Sequence, residues 1–183
     1  VIEQACLQMR TWLDEGLQDI HIAINISARQ FRSKNLDHLL AQALKKYKIG
    51  AQYLELELTE SMLMQEPEVA VETMHKLKQI GVKISLDDFG TGYSSLTYLS
   101  RFPIDTLKID QSFVRNITTE PDAAEIATAI IGLAHRMGLR VIAEGVETEA
   151  QLAYLRGNNC DEIQGYHFSK PLTPQSFANL IRS

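Results

Sequence analysis

Cysteine is scarce. Cys6 and Cys160 are the two thiols in 183 residues, far apart in sequence, and neither sits at metal-ligand spacing from another Cys or His. That excludes a disulfide-stapled domain and a zinc finger, and points to reduced thiols in a cytoplasmic setting. The five histidines are scattered with no ligand spacing. No apolar run approaches the ~20 residues that a membrane-spanning helix needs. Basic residues are in deficit, with a net charge of −5, so no footprint for a nucleic-acid polymer is present. The one basic cluster, Lys45-Lys46-Tyr47-Lys48, falls at a helix end, where cations favour the helix dipole. No Gly-x-Gly-x-x-Gly follows a first strand, which weakens a dinucleotide-binding reading. No low-complexity stretch or linker interrupts the chain, so a single domain is expected over 1–183. It opens Val1-Ile2-Glu3-Gln4, without a leader or an initiator Met, and is expected to be an excised piece of something longer. What remains is 45% hydrophobic and 22% charged, a globular composition long enough for a sizeable core.

Periodicity then divides the chain. Residues 1–15 carry Ile2, Ala5, Cys6, Met9, Trp12 and Leu13 at three-and-four spacing, which predicts an amphipathic helix stopped at Gly16. His21 to Ser27 alternates and is β-branched, a strand. Leu36, Leu39, Leu40, Ala43, Leu44 and Tyr47 make a helix. Tyr53 to Leu58 is a second strand. Pro67 opens the next helix, where its missing N–H costs nothing, with Ala70, Met74, Leu77 and Ile80 inward. Val82 to Asp87 is the third strand and Thr106 to Asp110 the fourth, with a long loop between them and one helical turn at 94–100. Pro121 opens a helix with Ala124, Ala127, Ile131, Ala134 and Met137 inward. Arg140 to Ala143 is the fifth strand. Thr148-Glu149-Ala150-Gln151 is a capping box for a helix to about Leu155. Asp161 to Gln164 is a short sixth strand, and Pro174 opens the last helix. Met62, Met64 and Met74 read as core. Alternation of this kind implies a parallel α/β sheet, either open or closed into a (β/α)8 barrel.

The informative feature is what ends each strand. The third ends in Asp87-Asp88, followed at once by Phe89-Gly90-Thr91-Gly92-Tyr93-Ser94-Ser95-Leu96. A strand that finishes in paired carboxylates and then turns presents oxygen ligands to a hard cation; alone, it also reads as a polar turn. The first strand ends Asn25-Ile26-Ser27, the second Glu57-Leu58-Thr59-Glu60, the fourth Lys108-Ile109-Asp110, the fifth Glu144-Gly145-Val146-Glu147 and the sixth Gln164-Gly165. Singly, each has a plain structural account. Asn25 forms turns, Glu57 can face solvent, Lys108 and Asp110 can pair on one face, and Glu144 can cap a turn. Jointly, they put one polar residue at the matching end of every strand, and in a barrel those ends converge on one mouth.

Crowded carboxylates repel. At ~4 Å and an effective dielectric of ~20, each pair does so by about 4 kcal/mol. Glu57, Asp87, Asp88 and Glu144 together must protonate or bind cations. Oxygen ligands without His or Cys favour Mg²⁺, Mn²⁺ or Ca²⁺. Four carboxylates exceed what one Mg²⁺ typically takes, which suggests two ions, the arrangement that clamps both oxygens in phosphodiester cleavage. Lys108 would then direct its ammonium at a phosphate oxygen or the attacking water. Glu60 and Glu147 fit supporting, loop-anchoring roles; Glu55 is a weaker candidate.

In series, Asn25-Ile26-Ser27-Ala28-Arg29-Gln30-Phe31, Glu57-Leu58-Thr59-Glu60, Asp87-Asp88-Phe89-Gly90-Thr91-Gly92, Lys108-Ile109-Asp110, Glu144-Gly145-Val146-Glu147 and Gln164-Gly165-Tyr166 resemble the successive motifs of the EAL-domain family. The resemblance spans essentially the whole chain. It implies a TIM-like (β/α)8 barrel, incomplete here, whose six strands resemble the family's third to eighth; the chain would be the C-terminal three quarters of an EAL domain. It implies a cytoplasmic phosphodiesterase that hydrolyses cyclic di-GMP to linear 5′-pGpG with Mg²⁺ or Mn²⁺ (two ions). By position, Asn25, Glu57, Asp87, Asp88 and Glu144 resemble the metal site, and Glu144 also the general base. Lys108 resembles the residue that positions the attacking water, and Asp110 and Gln164 resemble site-lining, substrate-binding residues. Residues 88–95, braced by Glu60, resemble the loop that couples dimer contacts to metal binding. A homodimer is implied, as is a parent chain with a GGDEF or sensory module and, in some relatives, a membrane tether.

One departure stands out. The Glu-Ala-Leu tripeptide for which the family is named is absent from this sequence, and its glutamate is a further metal ligand. The fragment alone is therefore expected to be inactive or weak. Two other readings stay open at this point: a cyclic di-GMP receptor that binds without cleaving, and an unrelated Mg²⁺-dependent barrel enzyme of the enolase kind.

Overall fold

The computed structural model describes residues 1–33, 35–91 and 96–182. In chain order the elements are α1 (Ile2–Asp14), β1 (Ile22–Asn25), α2 (Ala28–Phe31), α3 (Leu36–Tyr47), β2 (Leu54–Thr59), α4 (Glu60–Leu63), α5 (Pro67–Ile80), β3 (Lys83–Phe89), α6 (Leu96–Leu99), β4 (Thr106–Ile109), α7 (Gln111–Arg115), α8 (Pro121–Arg136), β5 (Arg140–Glu144), α9 (Glu149–Gly157), β6 (Glu162–Gln164) and α10 (Pro174–Arg182). The strands and helices expected from periodicity are all present, their ends moved by a residue or two. Three short helices, α2, α4 and α7, were not expected. Each begins within three residues of the end of a strand.

Contacts divide the chain into two units. The first comprises residues 1–58, 66–84 and those from Leu172 on. In it β1 and β2 run parallel, with Ile22 opposite Leu54 and Asn25 opposite Glu57. Its core holds Cys6 and Met9 of α1, Leu40 of α3, and Met74 and Leu77 of α5, all fully buried. Each such apolar side chain stabilises by about 1.5–3 kcal/mol. Along β2 the leucines Leu54, Leu56 and Leu58 alternate with Glu55 and Glu57, and both faces are buried, the glutamates at 1% and 9% exposure. The solvent-facing account of Glu57 is thereby corrected: successive side chains point to opposite faces, and here both faces are covered. Leu39 is also corrected. Leu36, Leu40, Ala43 and Leu44 fill the inner face of α3, and Leu39, off that stripe, is exposed. The terminal helix α10 meets α1 through Trp12, whose Nε1–H donates to the Pro174 carbonyl (3.3 Å) and whose ring lies 4.8 Å from that of Phe177.

The second unit comprises residues 59–65 and 85–171. Here β3, β4, β5 and β6 run parallel in that order. Leu86, Leu107, Val141 and Ala143 are fully buried along it. Helix α8 packs on β4 and β5 through Ala123, Ala127, Ile130, Ile131 and Ala134; small residues let helix and sheet approach closely. The expected capping box of α9 is present, the Thr148 hydroxyl accepting the Gln151 N–H and the Gln151 side chain accepting the Thr148 N–H.

Candidate metal centre

The second unit gathers the charge. Lys108 on β4 is 3% exposed. Its Nζ lies 2.6 Å from Glu144 Oε1 on β5 and 3.3 Å from Asp87 Oδ1 on β3. Three adjacent parallel strands thus deliver carboxylate, ammonium, carboxylate side by side. Asp88 ought not to join them, because neighbours on a regular strand face opposite sides. The strand is not regular there. Leu86 pairs with Leu107 and Phe89 with Ile109, so three steps on β3 match two on β4. That is a β-bulge, and Asp88 occupies it in the left-handed region, at φ 56°. As a result Asp87, Asp88 and Glu144 each offer an oxygen, and all three oxygens lie within 4.8 Å of one another.

Electrostatics follow from this crowding. Burial pushes the Asp88 carboxyl above its ordinary range; the Asp87 and Asp110 charges add to the rise, and Lys108 opposes it. Among Asp87, Asp88, Glu144 and Lys108 the carboxylates outnumber the ammonium. The donor set is all oxygen and partly exposed, and so fits a hard divalent cation rather than zinc.

The remaining candidates sit around this group or in the first unit. Asp110 Oδ1 accepts the Ser112 N–H at 2.9 Å and so caps α7. Gln164 is exposed and is the register partner of Glu144. Glu60, 2% exposed, accepts the Gly90 N–H through Oε2 at 3.2 Å, which ties α4 to the start of the loop after β3. Residues 92–95 of that loop lie outside the described residues. Glu147 is exposed and contributes its backbone N–H to Gln151 Oε1. In the first unit Asn25, exposed, and Glu57, buried, stand as register partners at the ends of β1 and β2.

Sequence reasoning undervalued two buried polar residues. Glu55 lies in the β2 interior with its Oε2 3.3 Å from His21 Nε2; its signal is the Leu-Glu-Leu-Glu-Leu alternation, which by itself does not tell whether the glutamate face is covered. Gln151, buried, was read as a cap alone, yet its Nε2–H also donates to the Arg115 carbonyl at 3.2 Å.

With this geometry in place, comparison with known proteins is decisive. The EAL domain model matches residues 1–171. The chain belongs to the EAL domain family. Among curated relatives, the signaling protein YkoW of Bacillus subtilis is 48% identical over 99% of this chain and 22% of its own length. MucR of Pseudomonas aeruginosa, named a bifunctional diguanylate cyclase/cyclic di-GMP phosphodiesterase, is 42% identical over 94% of this chain and 25% of its own. The chain therefore spans about a quarter of these relatives. A solved MucR phosphodiesterase in complex with c-di-GMP superposes with a TM-score of 0.93 at 41% identity, covering 96% of this chain and 71% of that one. This EAL chain has the expected α/β fold class, matching an incomplete TIM-like barrel, and an enolase-like reading is set aside. Among the described residues, no helix is long and apolar enough to cross a membrane.

Proposed function

We propose that this EAL domain hydrolyses cyclic di-GMP to linear 5′-pGpG in a divalent-metal-dependent reaction. The observation that carries the reading is the buried Lys108 ammonium held between Asp87 and Glu144, with Asp88 turned into the same group. The names of the relatives and the c-di-GMP complex of MucR support the substrate. Asp87, Asp88 and Glu144 would hold the cation, and two ions, Mg²⁺ or Mn²⁺, are the reading that the sequence motifs favour. Such ions supply Lewis-acid stabilisation of the charge that develops as the phosphodiester is cleaved.

The chain's own residues supply the rest. Lys108 Nζ, fixed by two carboxylates, donates to the attacking water and orients it toward phosphorus. Glu144 has two oxygens, one for the ligand set and one to accept the proton the water loses. Water adds to one phosphodiester, the P–O3′ bond breaks, and the 3′ oxygen leaves with a proton. Asp110 and Gln164, beside Asp88 and Glu144 respectively, line the substrate's position. Glu60, through the Gly90 N–H, braces the loop after β3, and Glu147 belongs to the turn after β5.

The test is titration calorimetry with cyclic di-GMP in the presence and absence of Mg²⁺, run beside chromatography of the products. Metal-dependent formation of linear dinucleotide is expected. Tight binding without product would assign a receptor instead. A homodimer, and a diguanylate-cyclase-like GGDEF or sensory module in the intact protein, complete the proposal; the bifunctional name of MucR supports the second. Light scattering of the intact protein tests the first.

A further inference from the structure

Glu144 ends β5, and the four residues that follow it are held from three sides. Gly145 turns in the left-handed region at φ +71°, and a Cβ there would lie 2.7 Å from Gln111 Cβ at the start of α7. Gly165, just past β6, is pressed against the backbone of Val146, so that a Cβ at 165 would overlap Val146 O and N. Two hydrogen bonds seal that approach: Val146 N–H to the Gln164 carbonyl (3.1 Å) and His167 N–H to the Val146 carbonyl (2.9 Å). The third hold is Gln151. Its Oε1 accepts the N–H groups of Glu147 (2.8 Å) and Thr148 (2.9 Å), and its Nε2–H reaches the Arg115 carbonyl at the end of α7 (3.2 Å).

Resting on the reading above that Glu144 works in the site, we propose that Gly165 and Gln151 are positioning residues: they clamp the turn 145–148 and thereby fix the Glu144 carboxylate against Lys108. Neither needs to touch substrate. A helix cap requires the Gln151 acceptor and nothing more; the bond to Arg115 adds an anchor that a cap does not use. Gly165 bears on the backbone two residues from Glu144, so any side chain there moves the ligand rather than merely crowding a surface.

The intact protein carrying this domain is the material for the test. Gly165→Ala is expected to lower Mn²⁺ affinity by about tenfold to a hundredfold, the range for residues that support metal ligands. kcat should fall by a similar factor while KM for cyclic di-GMP moves little, the pattern of an interaction made in the transition state. Gln151→Met should do the same and speed amide exchange at Glu147 and Thr148. Gln151→Glu, which keeps the two accepted bonds, should restore part of the loss. Gly132→Ala is the control: it lies in α8 with nothing within 4 Å of the added Cβ, and both constants should stay at their wild-type values. If Gly165→Ala does not fold, Gln151→Met decides. Wild-type Mn²⁺ affinity in the folded Gly165→Ala or Gln151→Met protein overturns the clamp. Should the wild type bind Mn²⁺ without forming product, the phosphodiesterase reading fails while the affinities still decide the clamp. A wild type that binds no Mn²⁺ overturns both.

Discussion

Lys108 is buried on β4 with carboxylates on two sides, Glu144 at 2.6 Å and Asp87 at 3.3 Å. An ammonium there is held by those charges, and they in turn are held by it. Removing one partner of a buried pair leaves an uncompensated charge, at about 3 kcal/mol or more. Lys108→Met, measured by urea unfolding without divalent cation, should therefore lose about 3 kcal/mol, and added Mg²⁺ should restore more stability to it than to the wild type. Equal stabilisation of both proteins by Mg²⁺ would mean that Lys108 does not share its carboxylates with the cation. The two thiols behave differently. Burial pushes Cys6 and Cys160 from 9.0 up to about 11. Both should react slowly with a disulfide reagent at neutral pH while native, and quickly once unfolded, because the thiolate is the nucleophile. The sign of the linkage follows. The folded state keeps its protons above pH 9.0, so stability is intact below that value and declines toward about pH 11. The fully buried Cys6 can be isolated: Cys6→Ala should show a smaller decline over that window than the wild type, as read from urea midpoints.

The bulge on β3 is the element that makes the carboxylate group possible. Without it, Asp88 would face away from Asp87. Asp88→Asn keeps a residue type that tolerates the left-handed region and removes one negative charge from a crowded group. Divalent-cation affinity should fall by at least about tenfold, with stability unchanged or slightly raised. Asp88→Val puts a β-branched residue at φ 56° and should cost about 1–3 kcal/mol, measured the same way. A valine variant as stable as the asparagine one would mean the bulge is not strained. The strand's place was legible in the run Val82 to Leu86, and so was the meeting of Asp87, Lys108 and Glu144 at the ends of β3, β4 and β5. The bulge was not, because Asp-Asp before Phe-Gly looks the same whether the strand stops or swells. Helix α2 was legible and passed over: Ser27 and Gln30 form a reciprocal capping box, and that four-residue signature stands in the sequence. The burial of Glu55 and Glu57 was not legible for another reason. Alternation in sequence says which residues share a face, but only packing says whether a face is wet, and on β2 both are dry.

At the scale of the molecule, the chain's edges and ligand count set the expectation. Among the described residues β1 and β6 each have one strand neighbour, and an unpaired edge invites association with another chain. Both edges are short, four and three residues, which limits that tendency without removing it. The 183 residues expressed alone should scatter more light at high concentration than a protein that covers both edges. Catalysis is the stricter measure. On the proposed metal-dependent reading, the oxygen ligands in these residues would make a partial set, since the Glu-Ala-Leu tripeptide is absent from the sequence. A site short of one ligand holds its cations more loosely, and a displacement of about 1 Å in a reacting group can slow turnover about a hundredfold. Initial rates of cyclic di-GMP cleavage, with saturating Mg²⁺ or Mn²⁺, should therefore be about a hundredfold or more lower for residues 1–183 alone than for the intact protein that carries them. Raising the metal concentration should narrow that gap if loose cation binding is its cause. Equal rates at equal metal would show that the ligands of these residues suffice by themselves.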